Sequence, residues 1–168
     1  MSVVDLNGIK TQIKTNLDAV NTTTANSTDL SNGLSNSQRV LRVLKINPTR
    51  IPIQATWLPF VTMFIEGKSL EEDQIAGSPN TASRLSTVEI QVVGVVSNWN
   101  ISDLDEDAAD NDCEVLMGNI EAILAEDDTL SGAVKYQKVT GVQFHNANLD
   151  EGTHIRYGVL SMECLVEH

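Results

Sequence analysis

The sequence predicts an α+β fold, in which a mostly antiparallel sheet of four or more strands packs against two main helices. In two segments, one at the start and one past the middle, apolar residues recur every three or four positions, as in amphipathic helices. Elsewhere apolar and polar residues alternate, as they do in strands. The length of 168 residues suits one domain over residues 1–168.

The first helix is predicted over residues 3–20. Its apolar stripe consists of Leu6, Ile9, Ile13, Leu17 and Val20. A run rich in Asn, Thr and Ser follows, and we expect residues 21–38 to form a flexible linker.

The segment Arg39–Ile46 has two interpretations. Ser35 and Gln38 fit a capping box that would start a short helix. The apolar residues Val40 and Val43 fit a strand equally well. The sequence leaves this choice open.

Two strands are predicted in the middle of the chain. Residues 60–66 place apolar side chains on both faces, which predicts a strand in the interior of the sheet. Residues 67–86 are predicted to be a flexible loop, and its length favours a functional segment. The strand over residues 87–96 changes phase near Gly94, which predicts a β-bulge there.

The second helix is predicted over Leu104–Ala125. Its apolar stripe consists of Cys113, Leu116, Met117, Ile120, Ile123 and Leu124. Asp127–Gly132 has the composition of a turn, and two strands, Val134–Asn146 and Thr153–Val166, complete the sheet. Between them, Asn146–Gly152 has the chemistry of a hairpin turn.

The charge of the chain is strongly negative and unevenly distributed. With 23 acidic and 11 basic side chains, the formal net charge is −12, which disfavours attraction to nucleic acid or anionic lipid. Residues 1–50 carry six bases and three acids, whereas residues 51–168 carry five bases and twenty acids. This asymmetry predicts complementary surfaces between copies, with Arg39 and Arg42 as candidate partner contacts. The alternative is that each charged face is simply solvated.

The sequence contains no motif that indicates an enzyme, a cofactor or a targeting segment. Cys113 and Cys164 have no paired spacing of a zinc or redox site and fit buried core positions. His145 and His154 flank the predicted hairpin, where exposed surface positions are favoured over a metal or acid–base site. No apolar run is long enough to span a bilayer.

One acidic cluster has the spacing of a calcium-binding loop. Positions 1, 3, 5, 9 and 12 of such a loop correspond to Asp103, Asp105, Asp107, Asn111 and Glu114. The sixth position requires glycine for a sharp turn, but Ala108 stands there. A helix start explains the same residues, with Ser102 as N-cap and carboxylates in the first turn. We therefore expect no metal site in this cluster. A calcium- or magnesium-regulated binding module that uses residues 103–114 stays as an alternative function.

The order of several short motifs resembles a known family. Leu58-Pro-Phe-Val-Thr-Met-Phe-Ile-Glu-Gly precedes an acidic segment around Glu71-Glu72-Asp73 and a strand starting at Thr87, Thr-Val-Glu-Ile-Gln-Val-Val. A helix containing Asn119-Ile-Glu-Ala-Ile-Leu and a turn, Asp128-Thr-Leu-Ser-Gly, follow. This succession resembles the tail terminator proteins of long-tailed bacteriophages, of the minor tail protein U type. The resemblance covers most of residues 55–168 and, more loosely, the first helix.

The resemblance implies a structural virion protein that caps the tail tube. Such subunits form a ring, expected to be a hexamer, that terminates tube polymerisation and offers a head–tail joining surface. The implied partners are further copies of the chain, the tail tube protein and a head-completion or neck protein. DNA would pass through the lumen without specific binding. The implied location is the tail or neck of the virion, after assembly in the host cytoplasm, without a membrane.

Glu71, Glu72 and Asp73 are the candidate contacts with the tube, because they lie in the predicted loop. The segment Thr22–Pro52 has no counterpart in the family. Another phage neck or connector subunit remains an alternative function.

Overall fold

The computed structural model describes residues 4–20, 29–35, 38–50, 52–71, 85–98, 106–150 and 153–167. The helices are α1 (Leu6–Val20) and α2 (Glu106–Ala125). The strands are β1 (Arg42–Leu44), β2 (Phe60–Glu71), β3 (Leu85–Asn98), β4 (Tyr136–Asp150) and β5 (Thr153–Glu167). Two short 3-10 turns, Pro48–Arg50 and Ala55–Trp57, lie between β1 and β2.

The five strands form one sheet in the order β1-β2-β3-β5-β4. β1 and β2 are parallel, and every other neighbouring pair is antiparallel. This confirms the predicted α+β class with a mostly antiparallel sheet and two main helices. β2 lies between β1 and β3, as the apolar residues on both of its faces predict.

Both helices pack on the same face of the sheet. In the predicted stripe of α1, Ile9, Ile13 and Leu17 are buried and Leu6 is half-buried, while the side chain of Val20 lies outside the described residues. All six residues of the predicted α2 stripe are buried. Each fully buried side chain of this size contributes about 1.5–3 kcal/mol through the hydrophobic effect. α1 contacts β1, β2 and α2, whereas α2 contacts β3 and β5. Among the described helices, neither has extensive contacts with β4, so part of that strand stays exposed.

A smaller apolar cluster lies on the other face of the sheet. Phe60, Val93 and Val95 are buried there, and Trp57 packs against them. The ring of Trp57 meets that of Phe60 edge to face, with centroids 6.4 Å apart. The 3-10 turn that ends at Trp57 thus covers one end of this face.

The β-bulge predicted at Gly94 is wrong. β3 keeps continuous register with both neighbours through this residue, and Gly94 pairs with Gly158 of β5. The apparent change of phase has another cause: both faces of β3 are buried here, so apolar residues occupy consecutive positions. The two glycines instead allow the side chain of Met117 to lie directly on the sheet.

Part of the predicted linker 21–38 is folded. Leu30 and Leu34 are buried in the main core, and Asn119 of α2 donates to the carbonyl oxygens of Leu30 and Asn32. Polar composition misled the prediction, because two apolar side chains suffice to dock this short segment. Residues 21–28 and 36–37 lie outside the described residues.

The predicted loop 67–86 is also shorter than expected. β2 continues to Glu71 and β3 begins at Leu85, and their pairing extends from Gly67↔Glu89 to Glu71↔Leu85. The register of β2 against β3 shifts between Ile65 and Gly67, and the pairing continues on both sides of this irregularity. Residues 72–84 lie outside the described residues.

The structure decides the open choice at Arg39–Ile46, and further boundaries differ from the predictions. α1 begins at Leu6 and not at residue 3. Arg39–Ile46 contains the strand β1 rather than a helix, because Val43 faces the core beside Val61 of β2. β4 extends to Asp150, so residues 146–150 belong to the ladder and not to the predicted turn Asn146–Gly152. Cross-strand pairing overrides the weak strand preference of Asn and Asp here. α2 is described from Glu106, and the first two residues of the predicted helix, Leu104 and Asp105, lie outside the described residues.

Candidate interaction surfaces at the two sheet edges

The two outer strands of the sheet differ in length and surroundings. β1 has three residues and pairs only with β2, whereas β4 has fifteen residues and pairs only with β5, as far as the described residues go. The outer side of an edge strand presents backbone donors and acceptors to solvent or to another chain. A neighbouring copy therefore finds two different edges on this molecule.

The side of the molecule at β1 is basic. The Nζ atom of Lys45 lies 2.9 Å from Oγ1 of Thr11 and 3.4 Å from Oδ1 of Asn7 on α1. These contacts join the end of β1 to the outer flank of α1. We call the cations of this side the basic edge: Lys10, Arg39, Arg42 and Lys45. The same flank also carries Lys14, which is paired with Asp18.

An apolar side chain protrudes within the basic edge. Leu41 is 66% exposed and lies between Arg39 and Arg42, which are both exposed. The guanidinium of Arg42 lies over the ring of Trp57, 5.3 Å from its centroid, which fixes the direction of this cation. Exposure of a single leucine is common, but a leucine flanked by two arginines resembles the anchor of an interface.

The opposite side of the molecule is acidic. Asp110, Glu114 and Glu121 are exposed and stand at positions i, i+4 and i+11 of α2, so they share one flank of the helix. The other flank of α2 is occupied, because Asp112 and Asn119 bond the segment 29–35 there. We call Asp110, Glu114 and Glu121 the acidic edge.

An apolar strip of β4 lies beside the acidic edge. Val139 and Val142 are half-buried, and Phe144 is 38% exposed, although all three are on the sheet face that the helices cover elsewhere. We call these three residues the β4 strip. Large apolar side chains that remain open beside charged groups are typical of protein interfaces.

Contacts at both ends place the acidic edge along the β4 strip. At one end, Nε of Arg156 lies 2.9 Å from Oδ1 of Asp110, and its guanidinium stands 5.9 Å from the ring centroid of Phe144. At the other end, the side chain of Gln137 donates to the carbonyl of Leu124. α2 therefore runs antiparallel to β4, and its carboxylates line the strip.

The structure brings together some of the predicted contact residues. Arg39 and Arg42 both lie on the basic edge. Glu71 is the last residue of β2, while Glu72 and Asp73 lie outside the described residues. Leu41, the β4 strip and the acidic edge were not predicted as contacts from the sequence. Their role depends on which strands are outermost, and no local pattern gives that information.

The acidic cluster considered as a calcium loop has a helical path over most of its length. Residues 106–114 belong to α2, so Ala108 lies within the helix, where a calcium loop needs a sharp turn. Glu114 belongs to the acidic edge. Asp103 and Asp105 lie outside the described residues, and Asp107 is described only by its backbone. Among the described residues, no three His, Cys, Asp or Glu side chains are grouped to hold a metal ion.

The cysteines, His145 and His154 lie within the regular elements α2, β4 and β5. Cys113 and Cys164 are buried free thiols, and desolvation raises the pKa of each to about 12. Both are thus poor nucleophiles near neutral pH. His145 stands opposite Tyr157 in the β4–β5 ladder, and the two rings stack with centroids 5.2 Å apart.

Comparison with known proteins identifies no family. No protein-family model matches this sequence, and no curated protein matches it significantly. Neither described helix has the length and apolar character of a membrane span.

Proposed function

We propose that this chain is the subunit of a ring, expected to be hexameric, that caps the tail tube of a long-tailed bacteriophage. In this role it terminates tube polymerisation and provides the surface on which the head joins the tail. The proposal starts from the resemblance of residues 55–168 to tail terminator proteins.

The observation that carries the proposal is the opposite charge of the two sheet edges. A closed ring needs a heterologous interface, in which one surface of each subunit binds a different surface of the next. The basic edge and the acidic edge stand on opposite sides of one sheet, so neighbouring copies bring opposite charges together.

The overall charge suits passage of DNA through the ring. A net charge of −12 per subunit opposes binding to DNA phosphates, because acidic side chains outnumber basic ones by 23 to 11. A duplex can therefore slide through a lumen built from such subunits without being held. The Lys and Arg side chains of the basic edge contact the neighbouring subunit and not the DNA.

The proposal is tested by tube growth in the presence of this protein. Tail tube protein is polymerised with and without the chain, and tube lengths are measured by negative-stain electron microscopy. We expect shorter tubes, each carrying one extra ring at a single end, and about six copies per tube by quantitative mass spectrometry. Unchanged tube lengths with no chain bound would overturn the proposal. Binding to the portal ring alone would assign the chain to the head side of the neck instead.

A further inference from the structure

We infer that the basic edge of one copy binds the acidic edge of the next copy, with Leu41 seated on the β4 strip. The partner of each surface is therefore a second copy of this chain. This inference rests on the proposed function for the closure of the ring, and it names the surfaces through which the subunits meet.

The match extends through both layers of the molecule. When copies lie side by side with their sheets aligned, the α1 flank of one copy faces the α2 flank of the next. Lys10 and Lys45 then stand opposite Glu114 and Glu121 in the helix layer. In the sheet layer, the edge of β1 faces the edge of β4. Charge and position thus agree in the same arrangement.

The centre of this contact is apolar. Leu41 protrudes between two arginines, and the β4 strip lies open beside three carboxylates. Seating Leu41 next to Phe144 buries both side chains and surrounds them with opposite charges. An apolar centre within a charged rim is the usual composition of a specific protein interface.

The edge of β4 is suited to backbone pairing. Between Tyr136 and Leu149 it carries a single permanently charged residue, Lys138, which stands opposite Glu163 of β5. Edge strands that avoid aggregation usually carry more charges or a proline. The fifteen residues of β4 thus leave ample backbone for the three-residue β1 of a neighbour.

Charge also excludes the symmetric alternatives. A two-fold dimer through the basic edges would bring Arg39 and Arg42 against their own copies, and one through the acidic edges would oppose Glu114 and Glu121. Like charges in one interface cost several kcal/mol. The head-to-tail contact is the arrangement that brings the cations of the basic edge to the carboxylates of the acidic edge.

The inference is tested by two charge-reversed variants. One is the double variant E114K/E121K, and the other is the double variant K10E/K45E, which reverses the cations placed opposite Glu114 and Glu121. In each variant alone, like charges stand opposite each other in the helix layer, so we expect self-association to weaken by about 100-fold. Sedimentation velocity and native mass spectrometry measure it, both without tube protein and on tube ends.

Mixing the two variants provides the decisive arm of the experiment. In an equimolar mixture, every contact between unlike variants again joins opposite charges. We expect association to return to the wild-type level, in rings that alternate the two variants and therefore contain an even number of subunits. Failure of the mixture to associate beyond either variant alone would overturn the inference.

A matched control separates the edges from net charge. The double variant E66K/E89K changes the net charge by the same amount as E114K/E121K, but on exposed positions of β2 and β3 away from both outer strands. We expect its association to stay within about twofold of wild type. Circular dichroism confirms that all variants fold. Equal weakening of the control and of E114K/E121K would overturn the assignment of the edges.

The outcomes distinguish this inference from the proposed function. Tubes that are capped normally by both reversed variants would overturn the edge assignment and keep the proposed function. Mixed variants that restore rings without binding tubes would keep the edge assignment and overturn the proposed function. A wild-type chain that does not associate, either in solution or on tube ends, would overturn both.

Discussion

The closest approach between helix and sheet depends on two glycines. Gly94 and Gly158 pair across β3 and β5, and both face Met117 of α2. A Cβ atom on Gly158 would stand 2.3 Å from Cγ of Met117, and one on Gly94 would stand 2.9 Å from its Sδ. Neither glycine has a positive φ. Glycine is therefore required at these positions because it has no side chain, and not because its backbone is free to adopt unusual conformations.

Replacing Gly158 with alanine is expected to destabilise the fold by about 1–3 kcal/mol, because Met117 is fully enclosed and has no room to move away. Chemical denaturation measures the change. Met117→Ala in the same chain removes the atoms that clash, so the double variant should be less destabilised than the sum of the two single ones. Strict additivity would contradict the contact.

Gly141→Ala serves as the matched control for this prediction. Gly141 lies in β4, and an added Cβ there would meet no atom within 4 Å. Its free energy of unfolding should change by no more than about 0.5 kcal/mol. An equal loss in Gly141→Ala and Gly158→Ala would show that alanine itself, and not Met117, causes the effect.

At this scale the sequence predicts burial well and contacts poorly. The stripes of α1 and α2 follow from their period, because a helix always returns the same face to the core. The pairing of Gly94 with Gly158 does not follow, since it joins residues 64 positions apart through the register of two strands. The change of phase at Gly94 comes from burial of both faces of β3, whereas the contact of this glycine with Met117 of α2 leaves no local signal in the sequence.

At the scale of elements, the segment 29–35 docks on α2 through one buried carboxylate. Asp112 is 2% exposed and accepts hydrogen bonds from the backbone N–H of Ser35, at 2.8 Å, and from its hydroxyl, at 2.6 Å. Hydrogen bonds to a charged acceptor are stronger than those between neutral groups. This carboxylate thus fastens a segment that its polar composition alone would leave loose.

Asp112→Ala is expected to destabilise the protein by about 1–3 kcal/mol, because it leaves the Ser35 amide without its acceptor. Ser35→Ala should cost less, since it removes only the hydroxyl bond and keeps the amide bond. Urea denaturation measures both, and hydrogen exchange should show faster exchange of the Ser35 amide in Asp112→Ala alone. An unchanged exchange rate in that variant would contradict the docking contact.

The elements themselves were largely predictable, and their ends were not. Period identified both helices and the central strands, because core faces repeat regularly. β2, β3 and β4 extend beyond their predicted ends because partner strands supply hydrogen bonds to residues with weak strand preference, such as Ser69 and Asn148. Composition alone therefore places turns too early wherever a ladder continues.

At the scale of the whole molecule, the fold places the basic and acidic side chains on opposite sides. The sequence shows a basic first segment and an acidic remainder. The fold converts this order along the chain into two sides, because β1 and α1 lie at one end of the layers while α2 and β4 lie at the other. Basic and acidic sides on opposite edges are what head-to-tail association needs.

Salt and the substitution Leu41→Ser are expected to weaken this association in separable ways. Salt screens the charged rim, so association should fall as ionic strength rises from about 0.05 M to about 0.5 M. Leu41→Ser removes the apolar anchor and should weaken association about 10- to 100-fold at every salt concentration, since burial of a leucine contributes about 1.5–3 kcal/mol. Sedimentation velocity across a salt series measures both effects.

Leu70→Ser is the control for Leu41→Ser, because Leu70 is 64% exposed but lies near the end of β2, far along the strand from Phe60–Thr62, where β1 pairs. The two substitutions remove the same apolar surface from the folded monomer, so they should change solubility and stability equally. Only Leu41→Ser should weaken association, and its salt dependence should remain that of the wild type because the charges are unchanged. A loss of the salt dependence in Leu41→Ser, or equal weakening by Leu70→Ser, would contradict an interface with an apolar centre and a charged rim.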